Sequence, residues 1–149
     1  MKILAFDPCS TKNLGWAVLN NEDLVIYGTE EMTDEAPIIQ LHQAVQALVI
    51  THNPAIAVME RSIGAGFAPV REKISENTGA IKLSLSLSGV PFESLNTKHC
   101  FNVVIGKLTK GEDKKKKTIE YIKNKYKLKY INEHEADAVL MALAFLEEL

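Results

Sequence analysis

The chain has 149 residues, 46% of them hydrophobic and 24% charged, with a formal net charge of −2. This size and mixture predict one globular domain over residues 1–149 with an adequate core, and exclude a disordered, charge-dominated chain. No apolar run reaches the roughly 18 residues of a membrane span, and the N-terminal segment meets Asp7 too soon for a secretory signal, so a cytoplasmic protein without membrane partners is expected.

Residues 2–7 read as a short buried strand ending before Pro8, which lacks the donor that a central ladder needs. Residues 14–20 and 23–29 read as two more strands, joined by a tight turn at Asn20-Asn21 into an antiparallel meander. The apolar period then changes. Residues 36–52 put Leu41, Ala44, Val45, Leu48 and Val49 on one helical stripe, which Asn53-Pro54 stops. Ala55 to Met59 is a continuous apolar run ending at Glu60, as expected of a strand covered on both faces of a mainly parallel sheet.

A Gly-rich loop, Ile63-Gly64-Ala65-Gly66, leads to a long helix at about 67–88, closed by Gly89. Residues 90–95 read as an edge-like strand, because Pro91 removes a ladder donor. A short helix at 97–105 with Thr97 as N-cap, a turn at 106–111, a Lys-rich helix at 112–127 and a last helix at 133–148 follow. The order predicts an α/β fold: a five-stranded mixed sheet, three antiparallel strands then parallel ones, flanked by helices. Cys9 and Cys100 stand far apart without CxxC spacing, which predicts ordinary thiols and no cysteine-based zinc site.

Charge is unevenly spread. Residues 98–129 hold 11 lysines against 3 acids, whereas 130–149 hold 5 acids and no Lys or Arg. A phosphate-binding surface beside an acidic site has this pattern, and so does a solvated Lys-rich helix.

Three acids stand at element ends. Asp7 closes the first strand, Glu60 closes the buried parallel strand, and Asp137 lies in the last helix. Sites in α/β sheets form where strands end. If those strands are neighbours, the two carboxylates repel unless a divalent cation neutralises them, and Mg²⁺ suits such oxygen ligands and phosphodiester hydrolysis. Each acid also has a structural alternative: a turn at Asp7-Pro8, an ion pair of Glu60 with Arg61 or Arg71, a favourable helix-start charge at Asp137. In the last helix Asn132 and Glu135 have capping-box spacing, giving Glu135 a structural role. His134 shares a face with Asp137, three residues on, and is a candidate ligand or water-positioning group; a solvated histidine is the alternative, and Glu133 is a stand-in at i, i+4 to Asp137.

These residues carry a resemblance. Phe6-Asp7-Pro8-Cys9-Ser10 followed by Gly15-Trp16-Ala17-Val18 resembles the first hairpin of RuvC-like Holliday junction resolvases, Val58-Met59-Glu60-Arg61 their second acidic strand, and His134-Glu135-Ala136-Asp137-Ala138 their C-terminal helix motif. The resemblance runs in order along essentially the whole chain, whose shortness is similar to phage or viral members. It implies an RNase H-like fold and a homodimer that nicks four-way or other branched DNA symmetrically. It further implies Mg²⁺, with Mn²⁺ able to substitute, on Asp7, Glu60 and Asp137, and His134 as a fourth catalytic residue. Lys107, Lys110, Lys114, Lys115, Lys116 and Lys117 would then contact DNA phosphates. Two positions depart from the family pattern: Cys9 replaces the usual glycine, and Ile63 stands where an aromatic wedge is usual, with Phe67 four residues further.

Three other readings compete. A nuclease of the same fold that cuts forks and flaps would carry the same motifs. A non-catalytic junction-binding module would have lost the acids, yet all four positions are filled. A phosphotransferase with a similar hairpin needs two lobes, which 149 residues cannot hold. For the homodimer, the helix at 67–88 carries Ile74, Ile81, Leu83, Leu85 and Leu87, more apolar residues than one stripe needs; burial within one subunit is the alternative.

Overall fold

The computed structural model describes residues 1–8, 12–61 and 68–149. Five strands, β1 (Lys2–Asp7), β2 (Asn13–Asn20), β3 (Asp23–Glu31), β4 (Ile56–Glu60) and β5 (Phe92–Leu95), form one sheet in the order β3-β2-β1-β4-β5. β1 pairs with β2 antiparallel and with β4 parallel, and β4 pairs with β5 parallel. The helices are α1 (Pro37–His52), α2 (Ala68–Leu87), α3 (Thr97–Val104), α4 (Lys114–Tyr126) and α5 (Glu133–Glu147). The mixed sheet expected from the sequence is the sheet observed.

Alternation along β1 sorts the two faces. Leu4 and Phe6 join Leu41, Val45 and Leu48 of α1 and Ile81 and Leu85 of α2 in one core. Ile3 and Ala5 point the other way, into a core built on α5 with Cys100, Phe101 and Ile122 from α3 and α4. Asp7 therefore follows Ile3 and Ala5 onto the α5 face, and Glu60 follows Val58 there by the same period of two. α5 lies close on the sheet because Ala136, Ala138, Ala142 and Ala144 are small and buried.

Boundaries differ from the sequence reading for local reasons. β3 runs on to Glu31, paired with Asn13. β5 starts only at Phe92, since Pro91 contributes its carbonyl, an acceptor for Ala57 N at 2.9 Å, and no donor. The N-cap of α3 is Asn96 and not Thr97: Asn96 accepts from the N–H groups of Lys98 and His99, and Thr97 is the first helical residue. α4 begins at Lys114, because Asp113 caps it by accepting from Lys115 and Lys116 N–H. The capping box of Asn132 and Glu135 forms as expected. Cys100 is a free, buried thiol. Cys9, Ser10, Ile63, the glycine-rich run at 64–66 and Phe67 lie outside the described residues.

Candidate active site

The parallel register sets Phe6 beside Met59, so Asp7 and Glu60 leave the sheet side by side at the C-terminal ends of β1 and β4. Asp7 is fully buried. The first turn of α5 crosses above it, and His134 Nδ1 stands 3.4 Å from Asp7 Oδ2. Gly15 permits that approach: a Cβ there would come within 2.5 Å of the His134 backbone and Cβ. Gly15 pairs with Asp7 across the β1–β2 ladder, so one missing side chain lets the helix reach the acid.

Glu60 has a partner that sequence reasoning missed. Thr97 Oγ1 donates to Glu60 Oε1 at 3.3 Å. The signal lies in the register: Glu60 pairs with Leu95, so the residue two further on enters α3 next to the carboxylate. Freed from capping, the Thr97 hydroxyl turns toward the site.

The electrostatics are those of crowded acids. Burial, then the charge of Asp7 and a hydrogen bond with it, push Glu60 up to about 8. Burial and Asp7 likewise raise Asp137 to about 7, against the pull of Lys114 and His134. The hydrogen bond with Asp7 raises His134 above its ordinary value, opposed by burial. Among the described residues, no three His, Cys, Asp or Glu side chains converge on one point at ligand distance. Asp7 has the imidazole of His134 beside it.

Charged neighbours extend from this centre. Glu133 Oε1 lies 3.5 Å from His134 Nε2, and Glu133 Oε2 takes Lys115 Nζ at 3.2 Å, so a chain of contacts runs Lys115–Glu133–His134–Asp7. Glu135 faces away, into its cap and Thr29 Oγ1 at 3.0 Å. Of the Lys run, Lys114 is half-buried and acts on Asp137, and Lys117 pairs with Glu112 at 2.7 Å. Lys107, Lys110 and Lys116 are exposed. All four lysines of the run stand in the first turn of α4, where the helix dipole disfavours cations, so helix stability does not explain them.

No family model matches the chain, and no curated relative does. Solved structures do. A five-stranded mixed sheet in the order β3-β2-β1-β4-β5, flanked by helices, is an RNase H-like fold. Within it, the fold is that of RuvC-type resolvases. Thermus thermophilus RuvC superposes with a TM-score of 0.79 at 19% identity, over 97% of this chain and 92% of that one. The same protein in complex with a Holliday junction substrate gives 0.81 at 18% identity, with the same coverage. A fowlpox virus resolvase in complex with substrate Holliday junction DNA gives 0.61 at 19% identity, over 99% of both chains.

Proposed function

We propose that the chain is a divalent-cation-dependent endodeoxyribonuclease, one nuclease domain over residues 1–149, that resolves four-way DNA junctions by paired symmetric nicks. It acts as a homodimer in the cytoplasm of a bacterial cell or a phage-infected host, and is of the phage or viral type. The reading is carried by one observation: Asp7, Glu60, Asp137 and His134 share one sheet end in a fold found in junction-bound resolvases. No described helix is long and apolar enough to cross a membrane.

The donor set suits a hard divalent cation, since three carboxylates supply oxygen ligands and their raised proton affinity marks charge in need of neutralisation. Asp7, Glu60 and Asp137 would hold it. When bound, Mg²⁺, or Mn²⁺ in its place, offsets the carboxylate charge and polarises the scissile phosphate. Thr97 orients the Glu60 carboxylate through its hydrogen bond. His134, held beside Asp7 by the contact of its Nδ1 with Oδ2, is the group that takes the attacking water's proton. The water oxygen bonds to phosphorus as P–O3′ breaks, leaving ends that a ligase can seal. Lys107, Lys110 and Lys114 to Lys117 hold phosphates without reading sequence. The homodimer reading draws support from Leu83 and Leu87 of α2, 60% and 69% exposed in one subunit.

Cleavage of a labelled four-way junction with Mg²⁺, beside linear duplex, fork, flap and EDTA controls, tests the proposal. Paired nicks on the junction that stop in EDTA are expected, and Asp7→Asn should abolish them while junction binding persists. Equal cutting of forks and flaps would replace the resolvase by a general branched-DNA nuclease. Binding without any cutting would make the chain a junction-binding module.

A further inference from the structure

The lysines at the far end of α4 have no part in the site; Lys127 is exposed and Lys123 half-buried. α4 buries Thr118 and Ile122. Its opposite face carries Lys116, Lys123 and, at the C-cap, Lys127, seven and four residues apart and so on one stripe. At 1.5 Å per residue the stripe is roughly 16 Å long, about half a turn of duplex measured along its axis. Among the described residues no carboxylate pairs with any of the three. Glu22 and Asp23 lie nearby, beside Tyr126, whose hydroxyl donates to Glu22 O at 2.6 Å, yet neither acid turns to a lysine.

Helix stability accounts poorly for this stripe. The dipole favours cations at the C-terminus, which leaves Lys116 in the first turn unexplained. Lys127 sits at φ +54°, a left-handed conformation that glycine adopts without strain. Exposed Glu120 interrupts the stripe between Lys116 and Lys123.

We propose that the outer face of α4 is a phosphate track, along which a duplex arm of the bound junction runs from the site toward Lys123 and Lys127. The track rests on the DNA-binding reading above and lengthens its footprint beyond the first turn of α4. It selects nucleic acid by backbone charge alone, so it adds affinity and arm orientation without sequence preference.

Two variants of opposite sign test it: K123A/K127G, which removes two charges, and E120K, which fills the gap. Binding of a synthetic four-way junction is measured without divalent cation from 50 to 200 mM salt, alongside Tm. K123A/K127G should bind roughly 10-fold more weakly and lose about two units from the slope of log K against log salt, while the glycine at position 127 offsets any loss of Tm. E120K should bind more tightly and gain about one unit, a change that misfolding cannot produce. Wild-type slopes in both variants would overturn the track and leave the enzyme reading intact. A wild-type protein with no salt-dependent junction binding would overturn both together.

Discussion

Glu60 and Asp137 prefer their protonated forms because burial and Asp7 penalise the charged ones. The sign of the pH dependence follows. A carboxyl whose proton affinity is raised by folding stabilises the fold fully below its unfolded value, near 4.5 for Glu60, and loses that contribution as pH rises through about 8. In the absence of metal, Tm should therefore fall between pH 5 and 8, by on the order of 5 °C. Mg²⁺ should restore more of it at pH 8 than at pH 5, and Glu60→Gln should flatten both responses. Thermal scans of the two proteins with and without Mg²⁺ check this; a Glu60→Gln profile as steep as the wild type's would refute it. Gly15 yields a second expectation. A methyl group at 2.5 Å from the His134 backbone must push α5 off the sheet, so Gly15→Ala should cost about 1–3 kcal/mol in urea unfolding and depress cleavage more than junction binding.

Among the elements, α5 shows how a helix end becomes a positioning device. The Asn132–Glu135 box, braced by Asn132 Nδ2 to Thr29 at 2.8 Å, fixes where the first turn begins and hence where His134 stands. Asn132→Ala should cost about 1 kcal/mol of stability, read by denaturant midpoint, and lower the cleavage rate through His134 with little change in junction affinity. Much of this was legible in the residues. Strand, helix and capping periodicities were visible because they depend on neighbours in the chain, and β1 and β4 announced themselves as apolar runs closed by acids. Asn96 and Thr97 are both competent caps in the sequence, and only the fold decides that Asn96 caps and the Thr97 hydroxyl is released toward Glu60. The Lys115–Glu133 pair and the reach of Lys114 to Asp137 were invisible, since they join α4 and α5 by packing and not by spacing.

At the scale of the whole molecule, the two faces divide the labour. The α1–α2 side supplies an apolar core, and the α5 side supplies a second core whose rim carries the acids, so one sheet both stabilises the protein and aims its candidate ligands. The sheet also ends somewhere. β3 lies at its outer margin, nine residues long, with Val25 and Ile26 53% and 44% exposed, a strip on which a stray chain could add itself. Acids stand at both ends of that strip, Asp23 at one and Glu30 and Glu31 at the other, and a register shift between Val18 and Leu19 disturbs the ladder beside it. These act as gatekeepers against edge-to-edge aggregation. Replacing Glu30 and Glu31 by valine should leave the native fold intact but raise light scattering during refolding several-fold, with a steep dependence on protein concentration.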